Sequence, residues 1–121
     1  MRETEQKHEI KSVDWVGSSL EDLKEFPVAV QKKIGYALQI AQEGGKHQTA
    51  KPLKGFSGVM EIRSDYETDT YRAVYTTKIG DKIYVLHAFQ KKSTSGIATP
   101  QKEIDLIKRR LKMAQNSAEG R

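Results

Sequence analysis

The chain has 121 residues, 36% of them hydrophobic and 31% charged, with a net charge of +5 and no cysteine. That length suits one domain with a single core. The cysteine count excludes a disulfide framework and thiolate metal sites, and no run approaches the ~18 apolar residues of a membrane span. The polar, acidic start lacks the apolar run of a signal peptide, so the cytoplasm is the expected compartment. Charge is unevenly distributed. Residues 1–45 carry six basic and eight acidic side chains, residues 46–92 nine and five, and residues 93–121 six and three. The basic surplus lies wholly in the later part, which suits a polyanionic partner such as nucleic acid and equally an ordinary lysine-rich surface.

In chain order, residues 8–16 predict a short first strand with Trp15 as a core anchor. Ser18 followed by Glu21 has capping-box spacing and opens a short helix through Leu20 and Leu23 to about Phe26. Pro27 suits the first turn of a second helix, whose apolar positions Val30, Ile34, Ala37, Leu38 and Ala41 trace one face. Gly44-Gly45 ends it. Residues 47–55 are polar and basic, and Pro52 breaks any helix there. Three strands follow, at 59–63, 71–78 and 82–90, with turns at 65–70 and at Gly80-Asp81. Residues 93–98 read as a loop. Thr99-Pro100 then opens a last helix with apolar face Ile104, Ile107, Leu111 and Ala114.

The expected architecture is α+β, a single domain over 1–121 with an ordered core at about 8–114. An N-terminal strand and helical hairpin pack on a small, mainly antiparallel sheet, and a helix closes the chain. Strand alternation places Met60, Ile62, Tyr71, Ala73, Tyr75, Leu86 and Ala88 in the core beside Trp15, Ile34 and Leu38. The other sheet face is expected to be open, showing Val74, Ile83, Val85 and Phe89.

From that face Arg63, Arg72 and His87 project together, with Lys91 and Lys92 after the last strand and Lys51 and Lys54 before the first. Such a set suits RNA cleavage by the RNA's own 2′-hydroxyl. A base takes the hydroxyl proton, cations stabilise the charge that builds on phosphorus, and an acid protonates the departing 5′-oxygen. Arginine suits the phosphate; histidine, or a lysine among other cations, suits the proton. Each residue also has a plainer reading. Arg63 and Arg72 can pair with Glu61, Asp65 or Asp69, His87 can be a hydrogen-bonded core histidine, and the lysines can be solvated. His8 and His47 have no partner at metal-ligand spacing, and no metal or cofactor is expected.

Particular runs carry more. They are Lys51-Pro-Leu-Lys-Gly55, Glu61-Ile-Arg63, Thr70-Tyr-Arg-Ala-Val-Tyr75, Tyr84-Val-Leu-His-Ala-Phe-Gln-Lys-Lys92 and Gly96-Ile-Ala-Thr-Pro100, with Trp15-Val-Gly-Ser-Ser-Leu20 and Phe26-Pro27 before them. Together they resemble the phage-related, HigB-like branch of the RelE/ParE toxins of type II toxin–antitoxin pairs, over roughly residues 8–114. The resemblance implies a RelE-like fold and a ribosome-dependent, metal-independent messenger endoribonuclease that inhibits translation. It also implies a helix-turn-helix antitoxin as partner, expected to cover part of the open face or to block entry to the ribosome. On it, Arg63 and Arg72 match the cations at the scissile phosphate, Lys91 and Lys92 the basic residues after the last strand, and Lys51 and Lys54 RNA-binding positions. His87 is a candidate acid or base. The alternatives are a ParE-like inhibitor of DNA gyrase and a non-catalytic, phage-derived binding protein.

Overall fold

The computed structural model describes residues 10–91 and 99–119. The expected β-strand near the start is short, β1 (Val13–Trp15), and is followed by helices α1 (Ser19–Lys24) and α2 (Val28–Gln42). Strands β2 (Ala50–Pro52), β3 (Val59–Tyr66), β4 (Asp69–Thr76) and β5 (Ile83–Lys91) come next, and helix α3 (Gln101–Ala118) ends the order. The strands form one sheet in the order β1-β5-β4-β3-β2. β1 runs parallel to β5 and every other pair is antiparallel. The architecture is therefore α+β with a mixed five-stranded sheet.

Helix α2 follows the expected periodicity, with Val30, Ile34, Ala37, Leu38 and Ala41 all buried. Its end is a Schellman turn. Gly44 takes φ 90°, its N–H reaches the Ala41 carbonyl at 3.0 Å, and the Gly45 N–H reaches the Ile40 carbonyl at 2.9 Å. The capping box at Ser18 does not form. The Ser18 hydroxyl instead donates to Asp22 at 2.8 Å and accepts from Arg110 of α3 at 3.1 Å. The demand of α3 for an acceptor outweighs the local cap. Pro27 and Pro100 each sit one residue outside their helices, as N-caps.

The first core lies between α1, α2 and one sheet face. It joins Leu23, Phe26, Ile34, Leu38, Ile62, Tyr71, Ala73, Tyr75 and Ala88, with Trp15 and Met60 packed against it. This is the expected core with one exchange: Ile83 and Val85 belong to it and Leu86 does not. The cause is a register shift. Val74 pairs with His87 but Tyr75 pairs with Val85, so Leu86 is an extra residue bulging out of β5. The alternation is reset there, and Leu86 and His87 both turn away from α2.

That second face is not open. Val59, Val74, Tyr84, Leu86, Phe89, Ile107 and Ala114 form a second buried cluster, with Leu111 packed against it. Helix α3 supplies the cover, using the face expected for it. Of the residues expected on an open face, Val74 and Phe89 lie under this cover, while Ile83 and Val85 face the α2 side. None offers a partner-binding patch. The reason is elementary: β4 and β5 are apolar on both faces, and both faces need burial.

Two further differences concern strands. β2 appears within the stretch expected to be irregular, and pairs residues 50–52 with 60–62 of β3. The β3–β4 hairpin is tighter than expected, with Tyr66 facing Asp69 across a two-residue turn and Glu67 at φ 56°.

Ile107 is fully buried in the second cluster. Truncating it to Ala removes apolar contact and leaves a cavity, a loss of about 2–5 kcal/mol in this setting. Urea unfolding of Ile107→Ala is expected to show this drop. A change under about 0.5 kcal/mol, the scale of an ordinary surface substitution, would mean that α3 does not stabilise the sheet.

Candidate nucleic-acid interface

The strand pairing sets two arginines side by side. Arg63 and Arg72 are direct cross-strand partners on β3 and β4, on the sheet face that α3 partly covers. Beyond the edge of that cover lies a groove of about 500 Å³ lined by Lys33, Gln48, Thr49, Lys51, Glu61, Arg63, Asp65 and Arg72. Four cations and two carboxylates thus surround it. Residues from α2, the β2 edge and the central hairpin contribute together, although they are distant in sequence.

The two arginines are held differently. Arg63 is exposed and its Nε donates to Asp65 at 3.2 Å, with side-chain exposures of 55% and 63%. Arg72 is buried, and its Nη1 lies 3.0 Å from both carboxylate oxygens of Glu61. One guanidinium nitrogen therefore serves the whole carboxylate. Arg72 Nε is buried with no hydrogen-bond partner, so a donor is left over beside the groove. A buried polar atom left in this way is uncommon and costs stability. Asp65 is engaged twice: the Thr70 hydroxyl donates to it at 2.9 Å, and Arg63 adds its charge. The Thr70 hydrogen bond first, and Arg63 with it, hold its carboxyl below the ordinary value.

The other candidates fall as follows. Lys51 lines the groove. Lys54 is exposed in the turn after β2 and is not among the lining residues. Lys91 is half-buried at the end of β5, opposite Thr70. Lys92 lies outside the described residues, as does His8. His87 shares the sheet face of Arg72 but is not exposed. Its Nε2 lies 2.6 Å from Glu103 in the first turn of α3, its ring stacks on Phe89 at 4.8 Å, and its Nδ1 is buried without a partner. The expectation that His87 projects freely is thus corrected: α3 covers it and Glu103 occupies it. The exposed position expected for Arg72 is corrected too, since Glu61 and the surrounding strands enclose it.

Three participants were not visible from strand alternation. Lys33 reaches the groove from α2, which only the tertiary packing reveals. Glu103 pairs with His87 through a helix that the chain reaches sixteen residues later. Arg110 donates to the Leu86 carbonyl at 3.0 Å and to the Ser18 hydroxyl at 3.1 Å, fastening α3 beside the bulge. A side chain at Gly17 would meet that guanidinium at 2.7 Å, and Gly17 itself has φ 59°. The backbone conformation therefore favours glycine there, and a side chain would also have to displace the Arg110 guanidinium from its two acceptors. Among the described residues, no group of three or more His, Asp or Glu side chains is placed to hold a metal ion, and no helix is long and apolar enough to cross a membrane.

Comparison with known proteins gives two findings. A family model described as phage-derived protein Gp49-like matches residues 21–112. The crystal structure of the toxin–antitoxin complex RelBE2 from Mycobacterium tuberculosis contains a similar chain, with 17% identity and a TM-score of 0.45 over 72% of this chain and 98% of that one. No curated protein sequence matches.

The burial of the Arg72–Glu61 pair makes a prediction about stability. Removing one partner strands the other charge, so Glu61→Ala and Arg72→Ala should each lose about 3–5 kcal/mol. Glu61→Leu combined with Arg72→Met should lose clearly less than either. Equal losses in the single and double variants, by denaturant unfolding, would show that the pair is not enclosed. A second prediction follows from Asp65. A carboxyl whose folded-state pKa is depressed adds stability above its unfolded pKa, near 3.9, and that stability disappears as pH falls through the folded value. Asp65→Asn should therefore lower stability slightly near neutrality, leave it least changed at low pH, and so flatten the acid limb of the stability–pH curve below about pH 4.

Proposed function

Because this chain belongs to the Gp49-like family of phage-derived proteins, we propose that it is the toxin of a type II toxin–antitoxin pair, cutting messenger RNA on the ribosome without a metal. The observation that carries the reading is the groove in which Lys33, Lys51, Arg63 and Arg72 converge around Glu61. The HigB-like resemblance of the strand motifs supports it. The cytoplasm, where ribosomes are, is the compartment this implies, and a helix-turn-helix antitoxin is the partner it requires.

In this proposal the scissile phosphate enters beside Arg63 and draws Arg72 from Glu61. Both guanidinium groups then neutralise charge on the phosphorane, and the leftover Nε donor of Arg72 gains an acceptor. Glu61, released at the same moment, is positioned to take the 2′-hydroxyl proton. Lys91 stands by the strand end, and Lys51 and Lys54 hold the RNA backbone to one side. His87 can protonate the departing oxygen only if the first turn of α3 shifts, because Glu103 now holds Nε2.

A second reading has one observation in its favour. Arg72 and His87 are both enclosed and already engaged by carboxylates, which also suits a non-catalytic binding protein. The exposed Arg63 separates the two. Its salt bridge with Asp65 is solvent-facing, so Arg63→Ala should change stability by ~1 kcal/mol or less. If Arg63 stabilises the transition state, cleavage of ribosome-bound messenger by the purified variant should fall by about 100-fold. Cleavage at the parent rate in a folded Arg63→Ala protein would remove it from the site. Induced expression, with mapping of RNA ends, is expected to stop growth and yield new messenger ends, and co-expression of the antitoxin should reverse both. Inhibited gyrase supercoiling without new ends would instead indicate the ParE-like activity.

A further inference from the structure

The groove does not end at the arginines. It continues over the β2 edge to α2, where Lys33 is one of its lining residues. Tyr36 lies one helical turn further on, on the same side of α2 as Lys33. It is 58% exposed, on the solvent side of a helix that buries Val30, Ile34, Ala37, Leu38 and Ala41 on its other face. An isolated exposed aromatic means little, but this one is held in place. Its ring meets that of His47 at 5.6 Å and 81°, edge against face. His47 is itself fixed: its Nδ1 accepts from the Thr49 N–H at 3.1 Å and lies 2.7 Å from the Thr49 hydroxyl. Thr49 and its neighbour Gln48 line the groove. Exposed Lys32 and Lys46 flank the pair.

We propose that Tyr36, braced by His47, is a stacking platform for an unpaired RNA base, with Lys33 holding the adjoining phosphate, so that single-stranded RNA runs from Arg63 and Arg72 across the β2 edge to α2. The inference rests on the reading of the groove as an RNA site and extends it to a second nucleotide position. The physical case is the pairing of two requirements. Single strands are gripped by cations along the backbone and by aromatic rings that stack on bases, and neither depends on sequence. A ring whose orientation is already set loses little freedom when a base settles on it. Lysines predominate beside it: between residues 28 and 52 the ionised side chains are Lys32, Lys33, Lys46 and Lys51 with one carboxylate, Glu43, and the groove carboxylates Glu61 and Asp65 are engaged by Arg72 and Arg63.

The test uses the full chain and fluorescence anisotropy of a short labelled oligoadenylate, beside an abasic oligomer with the same backbone. Tyr36→Ala should weaken oligoadenylate binding by about tenfold and leave binding of the abasic strand unchanged. Tyr36→Phe keeps the ring and should bind like the parent. Lys33→Ala should weaken both strands and lower the salt dependence by about 0.7 per charge removed. Parental oligoadenylate affinity in Tyr36→Ala, or an equal loss on both strands, would overturn the platform. So would a loss of antitoxin affinity with RNA affinity intact, which would make Tyr36 a protein contact. Messenger cleavage by the parent is measured in parallel. A parent that cuts no messenger, while Tyr36→Ala still loses oligoadenylate selectively, would sink the nuclease and keep the platform. A parent that cuts, with Tyr36→Ala binding normally, would do the reverse.

Discussion

One extra residue in β5 determines how the sheet is used. With Leu86 bulged, the strand can place Ile83 and Val85 against α2 before the shift and Ala88 after it, yet turn both Leu86 and His87 toward α3. Helix α3 then has something to hold. Leu86 enters its apolar face, the Leu86 carbonyl accepts from Arg110, and His87 meets Glu103. Without the shift, strict alternation would send Leu86 and His87 to opposite faces, and α3 would lose one of its anchors. The irregularity thus adds Leu86 to the apolar residues that hold α3 on the second face. The groove beside Arg63 lies where that cover stops.

The two carboxylate-bound side chains on this face are similar in construction and differ in position. Arg72 with Glu61 lies at the groove; His87 with Glu103 lies beneath α3. In each, the nitrogen-bearing side chain keeps one buried nitrogen without a partner. Enclosed pairs of this kind are weak contributors to stability compared with apolar packing of the same volume. A site that must release a cation to a phosphate fits the first pair. The second joins a helix to a strand and fits a structural role, as a hydrogen-bonded core histidine does.

Much of this fold could be read from the chain, and the unread parts share a physical cause. The face of α2 was legible because five apolar residues recur at helical spacing, and the glycine pair after it leaves few endings other than a Schellman turn. The face of α3 was legible for the same reason, as was the hairpin of β3 and β4. The bulge at Leu86 was not, since one inserted residue has no local signature in Leu86-His87-Ala88 and shows only in the pairing with Val74 and Tyr75. From that followed the misplaced core positions of Leu86, Ile83 and Val85, while the cover over Val74 and Phe89 depends on where α3 docks. At the site, the shared face of Arg63 and Arg72 was legible from alternation, and Lys51, expected only as a basic residue ahead of the first meander strand, lines the same groove. The burial of Arg72 was not legible, because it depends on where α3 and β2 lie. The contribution of Lys33 was hidden likewise, because it arrives from another element.

The parallel pairing of β1 with β5 has a consequence for how the molecule assembles. Asp14 finds Lys82 across 68 residues of chain, Ser19 finds the Val85 carbonyl across 66, and Ser18 finds Arg110 across 92. Contacts of such long range form late, because the loop must close before they repay its entropy. During synthesis the N-terminal strand and α1 have no sheet edge to join until β5 has been made, and α3 comes last of all. The sheet on which the proposed groove is built is therefore complete only once β5 has been made. For a protein proposed to attack messengers on ribosomes, this order of assembly would spare the ribosome that makes it and leave the finished chain to find another, or to meet its antitoxin first.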